Sequence, residues 1–182
     1  LGNLYMSILL RPGCSAAKAG QLSFVTVVAL SAAMDDVLEA GHQKTLKWPN
    51  DVLIDGKKVS GILIEKEGDG YAVGIGVNIL SAPEGAVYLK ALSGDNRLAI
   101  HPFRDAALEK LAHYYDLWRR QGFAPIREAW LSQAHGLNEK LSAKIGEQEK
   151  TGIFRDLDEK GALVLEEADS QKLKITSGEV FF

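Results

Sequence analysis

Thr45-Leu-Lys-Trp-Pro-Asn-Asp-Val-Leu-Ile54 runs directly into Asp55-Gly56-Lys57. Asp-Gly between two apolar runs is a strong hairpin signal, because a two-residue turn with positive φ at both centres matches the twist of the strands it joins. Just upstream, Pro49 fixes its own φ, removes a backbone donor and holds Trp48 extended. Trp48-Pro49 therefore reads as a stiff bend between strands and not as part of a ladder. A second turn, Glu67-Gly68-Asp69-Gly70, leads into Tyr71-Ala-Val-Gly-Ile-Gly-Val-Asn78, a strand thinned by glycines. Leu46 to Ala72 is expected to be a series of hairpins.

Working outward, Leu4 to Leu10 is a continuous apolar run ended by Arg11-Pro12-Gly13, which reads as a buried strand and a turn. From Gly20 to Ala40 apolar residues recur at helical spacing, with small residues on the other side, as in a helix packed on a sheet. Phe103 to Arg120 and about Ala124 to Ala134 predict two further helices. After Gly136 the texture changes: Lys140–Ile145, Lys150–Arg155, Gly161–Glu166, Lys172–Ile175 and Gly178–Phe182 are five short strand candidates joined by tight turns, the pattern of a small β-barrel. The class is α+β.

The 182 residues are 46% hydrophobic and 25% charged, the balance of a chain with a proper core, which excludes wholesale disorder. A net charge of -3 is too near neutral for a protein that coats nucleic acid or an anionic membrane. Residues 138–182 carry 7 basic and 10 acidic side chains, so this part is a poor nucleic-acid binder. Cys14 stands alone, which excludes a disulfide framework. Leu22 to Met34 is too short and too polar to span a bilayer, and no targeting leader precedes the fold, so a cytoplasmic location is expected.

Chemistry concentrates at the Trp-Pro bend. A lysine held by rigid flanks beside a large ring, Lys47, is a fixed cation suited to a carboxylate or phosphate. Asn50 and Asp51 beyond the bend can orient a ligand hydroxyl or a hydrated Mg²⁺. The alternative is an ordinary turn with a snorkelling lysine. Gly74-Ile-Gly76-Val-Asn78 is not a dinucleotide fingerprint, since the third glycine is missing and the glycines lie within a strand. They let a ligand or another element approach the sheet closely, and Gly61 shares that ambiguity with plain packing. Ser15-Ala-Ala-Lys18 and Lys150-Thr-Gly152 match two motifs of the serine penicillin-recognising enzymes. The third motif is broken by a glycine in Ser93-Gly-Asp-Asn96, and that assignment is rejected. The four histidines show no metal-ligand spacing.

Lys47-Trp-Pro-Asn-Asp51 resembles the biotin protein ligases closely. The match continues in order through Lys58-Val-Ser-Gly-Ile-Leu-Ile-Glu65 and Gly74-Ile-Gly-Val-Asn78, and Gly2-Asn-Leu-Tyr5 is similar to the family's Gly-Asn-Leu-Tyr strand. The end of the chain resembles its small C-terminal barrel. The resemblance implies a mixed β-sheet backed by helices, a class II synthetase-like catalytic domain over 1–137, and an SH3-like barrel over 138–182. It also implies two half-reactions: biotin and ATP·Mg²⁺ give biotinyl-adenylate, and a lysine of a biotin carboxyl carrier domain then takes the biotinyl group.

By the same match Lys47 would hold the biotin carboxylate and the adenylate phosphate. Asn50 and Asp51 would sit on the nucleotide and metal side, Val52, Gly61, Gly74 and Gly76 would wall the biotin tail, and Asn78 would lie near the adenylate. No resident metal ligand set is implied, and a homodimer is compatible with the resemblance. The family's Ser/Thr-Thr-Asn segment, its glutamine and its Gly-Arg-rich adenylate loop precede the Gly-Asn-Leu-Tyr strand, whereas this sequence starts at Leu1. The expectation is a truncated chain that does not itself make biotinyl-adenylate at a useful rate. A lipoate or octanoate transferase and a non-catalytic biotin-binding descendant are the alternatives.

Overall fold

The structure, a computed structural model, describes residues 2–94 and 98–182. Asp95 and Asn96 of the Ser93-Gly-Asp-Asn96 segment lie outside the described residues. Strand β1 (Leu4–Leu10) leads to a short helix α1 (Ala16–Ala19) and the longer α2 (Gln21–Asp35). The hairpin series follows as β2 (Lys44–Lys47), β3 (Asp51–Ile54), β4 (Lys57–Glu67) and β5 (Gly70–Val77). These strands make one sheet in the order β1-β5-β4-β3-β2. Its ladders are antiparallel, and a lone parallel bridge joins Leu46 to Ala134. The Asp-Gly turn forms as expected, with φ of 51° at Asp55 and 74° at Gly56.

Strand β1 departs from the buried strand expected of its apolar run. It lies at the sheet edge with one face uncovered, leaving Tyr5 76% and Leu9 45% exposed while Leu4 is buried. Strand β5 shows the same two-faced character in its residues. Val73, Ile75 and Val77 point into the core, and Ala72, Gly74 and Gly76 occupy the open face.

Helix α2 backs the covered face. Residues are buried on nearly all its sides, as befits an apolar helix enclosed by sheet and helices. It stops at Asp35, short of the expected Ala40, where the Asp35 carboxylate and the Ser31 carbonyl both accept from Lys44 of β2. The helical run Ala16–Asp35 is long and apolar enough to cross a membrane by length and composition, but most of it is buried inside this fold. After α3 (Leu89–Leu92), helix α4 (Ile100–Gln121) packs along α2 and ends at Gly122, whose φ of 78° turns the chain into α5 (Ala124–Leu131).

The five C-terminal strands fall where the sequence places them: β6 (Lys140–Ile145), β7 (Gln148–Leu157), β8 (Leu163–Glu166), β9 (Lys172–Ile175) and β10 (Glu179–Phe181). They form a second antiparallel sheet in the order β10-β6-β7-β8-β9. The core runs unbroken between the two sheets. Trp130 of α5 meets Phe24 of α2 at 5.7 Å and Phe154 of β7 at 6.2 Å, both edge-on. Gln21 links the parts by polar contacts as well, accepting from Trp118 Nε1 at 2.8 Å and donating to the Glu159 carbonyl at 3.1 Å.

Candidate functional site

The strand register draws one line across the whole first sheet. Lys47 faces Asp51, Asp51 faces Gly61, Gly61 faces Gly76, and Gly76 faces Tyr5. Cross-strand partners project from the same face, so these five residues share the face that α2 leaves open. The next row on that face is Leu63, Gly74 and Ser7. A cavity of about 470 Å³ lies over these rows, with Tyr5, Asn50, Asp51, Gly61, Gly74 and Gly76 among its walls.

The glycines leave the floor low for a reason other than packing. A Cβ added at Gly74 would come no closer than 3.6 Å to Leu63, and one at Gly76 no closer than 3.8 Å to Tyr5. Both are ordinary contacts, and neither residue has positive φ. What a side chain would take away there is open space over the sheet. Gly61 differs, because its Cβ would press on Lys58 at 3.0 Å and Asp51 at 3.2 Å.

The charged groups gather at one end. Lys58 Nζ lies 2.6 Å from Asp51 Oδ1, a buried oxygen whose partner is this ion pair, held off the hydrogen-bond line. Asn50 Nδ2 donates to the Ile62 carbonyl at 2.6 Å, fixing the far side of the bend to β4. Lys47 lines an adjoining cavity of about 480 Å³ that shares Asp51 and Lys58 with the first and is closed by His135, Phe181 and Phe182. Burial lowers the His135 pKa below the usual imidazole value, and the charge of Lys47 pushes the same way while Glu139 opposes. Among the described residues no group of three or more His, Cys, Asp or Glu could hold a metal ion.

Two family models match the sequence. Residues 1–80 match the biotin/lipoate A/B protein ligase family, and residues 137–182 match the biotin protein ligase C-terminal domain. The biotin--[acetyl-CoA-carboxylase] ligase of Paracoccus denitrificans is 40% identical over 100% of this chain and 80% of its own length. The chain belongs to the biotin protein ligase family. The bifunctional ligase/repressor BirA of Bacillus subtilis is 31% identical, and this chain spans 57% of that protein's length. The biotin protein ligase of Aquifex aeolicus, solved in complex with biotin and ATP, superposes with a TM-score of 0.85 at 30% identity, covering 99% of this chain and 78% of that one.

In this biotin protein ligase chain the residues expected from sequence divide into three groups. Asn50, Asp51, Gly61, Gly74 and Gly76 converge on one cavity, and Lys47 stands in the next. Val52 does not join them. Strand neighbours point to opposite faces, so with Asp51 outward Val52 is fully buried in the core. Asn78 also lies off the cavity. Its Nδ2 donates to the Val87 carbonyl at 3.1 Å and its backbone joins Val59 and Leu89, pinning the segment after β5.

Sequence reasoning passed over Lys58, Tyr5, Ser7 and Leu63 as lining residues. The register implied by the Asp55-Gly56 turn, carried strand by strand, would have found them. Phe181 and Phe182 carry no local signal, since only the folded second sheet brings them to Lys47. In the Gly2-Asn-Leu-Tyr5 motif, Asn3 Oδ1 accepts from the backbone of Ile79, Leu80 and Ser81 at 3.0, 3.2 and 3.3 Å, tying the start of β1 to the loop after β5.

Proposed function

We propose that this chain is the catalytic core and C-terminal domain, over 1–137 and 138–182, of an ATP-dependent biotin--[biotin carboxyl-carrier protein] ligase acting in the cytoplasm. The observation that carries this reading is the row Lys47–Asp51–Gly61–Gly76–Tyr5, which sets a cationic end beside a glycine floor under a cavity sized for a small ligand. The biotin carboxylate attacks the α-phosphorus of ATP, a bond to the acyl oxygen forms, and pyrophosphate leaves. A lysine amine of the carrier domain then attacks the acyl carbon and AMP leaves.

Lys47 opposes the negative charge of the carboxylate and the α-phosphate, and a preorganised cation of this kind stabilises the charge that accumulates between them. Asn50 and Asp51 face the nucleotide. The glycines of β4 and β5 let the apolar tail lie against backbone. Mg²⁺ belongs to the ATP substrate in this scheme, which suits a site whose carboxylates are Asp51, already paired with Lys58, and Glu179 in the adjoining cavity.

Thermal melting with biotinyl-adenylate, lipoyl-adenylate and AMP tests the assignment. Biotinyl-adenylate is expected to raise the midpoint well above the other two. A larger rise with lipoyl-adenylate would move the chain to the lipoate branch of its family.

A further inference from the structure

Lys47 ends β2 at the sheet edge, and among the described residues no carboxylate forms an ion pair with its ammonium. Asp51, directly across from it, is engaged by Lys58 at 2.6 Å. Glu179 lines the same cavity but forms no ion pair with Lys47, and the contact made by the ammonium is aromatic. Lys47 Nζ lies 5.9 Å from the ring centroid of Phe181, the last residue of β10 in the second sheet. The neighbouring Phe182 packs edge-on against His135 at 4.7 Å, and its ring fills the space a Cβ on Gly136 would need. Strand β10 is thus pinned at its end, and Phe181 is presented to the lysine with the β6 pairing holding it from behind.

The choice of partner has a chemical consequence. A carboxylate would hold the ammonium but also neutralise it, and an incoming anion would have to displace it. A π face attracts the ammonium and leaves its charge intact. We propose that Phe181 is a positioning residue for the ligase reaction, holding the Lys47 ammonium in the cavity that both line beside Asp51 and Lys58, while keeping its charge available to the acyl-phosphate junction of an adenylate. The inference rests on the role given to Lys47 under the proposed function. It assigns the C-terminal domain a part in organising the adenylate site.

Calorimetric titration of the full chain with biotinyl-adenylate, and with the neutral biotin methyl ester as control, tests it in a double-mutant cycle. Phe181→Leu is expected to weaken biotinyl-adenylate about two- to fivefold and to leave the ester unchanged, while Phe181→Trp restores the affinity. Phe181→Met serves as a second ring-free variant should the leucine variant fold poorly. In a Lys47→Met background the loss of the ring should have no further effect.

The two failures look different. If Lys47→Met alone leaves adenylate affinity unchanged, the role of Lys47 falls and the inference with it. If Lys47→Met weakens binding but removal of the ring costs the same in both backgrounds, or Phe181→Trp does not restore affinity, the ring acts by packing alone and the inference is overturned.

Discussion

The indole Nε1 of Trp48 donates to the carbonyl oxygen of Gly161 at 3.1 Å, joining the bend that carries Lys47 and Asn50 to a turn of the second sheet. Trp48 is buried, and Gly161 has a φ of 90° with Phe24 lying 2.6 Å from where its Cβ would be. The bend is therefore clamped from the C-terminal domain on its inner side, as Phe181 meets it on its outer side. Trp48→Phe keeps most of the apolar surface and leaves a buried carbonyl without its donor. It should lower stability by about 1–3 kcal/mol in urea unfolding. Gly161→Ala, which adds both a steric clash and a strained backbone, should cost more than Trp48→Phe. Equal stability of Trp48→Phe and the parent would remove the clamp.

The glycine floor makes a separable prediction. Because Gly74 and Gly76 have room for a Cβ and ordinary φ, Gly76→Val should leave unfolding stability within about 1 kcal/mol of the parent. The same branch fills the cavity above the sheet, and biotinyl-adenylate affinity should fall at least about tenfold, equivalent to about 1.4 kcal/mol. Stability lost together with affinity would mean that these glycines serve packing.

Much of this was legible in advance, for physical reasons that differ along the chain. The hairpin series and the five C-terminal strands are local patterns of alternation and turn chemistry, and a local signal suffices for them. The edge position of β1 is not local. An apolar run such as Leu4–Leu10 reads the same whether one face or two are covered, and only the sheet order tells them apart. At the site, Lys47, Asn50 and Asp51 could be singled out because Pro49 stiffens them within a few residues. Val52 could be misplaced because its motif says nothing of which face it takes. His135, Phe181 and Phe182 reach Lys47 only through the docking of the second sheet.

The Lys58–Asp51 pair should couple strongly. The Asp51 side chain is 19% exposed against 53% for Lys58, so removing the lysine leaves a largely buried carboxylate unpaired. Lys58→Met should cost about 1–3 kcal/mol at neutral pH, between the limits for exposed and buried pairs. Adding Asp51→Asn to it should recover most of that loss, because an amide needs no counter-charge. A double variant no more stable than Lys58→Met would show that the carboxylate was solvated all along.

His135 gives the chain a pH dependence whose sign follows from its surroundings. Burial chiefly, with the charge of Lys47 adding and Glu139 opposing, holds its pKa below the ordinary 6.5. The unfolded chain therefore takes up this proton before the folded one does as pH falls. Where the unfolded state binds more protons, stability rises with pH. The folded state thus loses stability as pH drops below about 6.5 toward the depressed folded value, and nothing changes above neutrality. His135→Gln should remove this part of the acid sensitivity, so that the stability difference between parent and variant shifts in favour of the variant between about pH 7.5 and 5, as read from urea midpoints at each pH. Asp55, whose carboxyl is held below its usual range by hydrogen bonds from the Gln43 backbone and from His42, is common to both proteins and cancels in the difference. Lys47→Met, which takes away one of the two depressing influences, should move the His135 transition to higher pH, and parallel pH profiles for parent and His135→Gln would show that the ring is solvated.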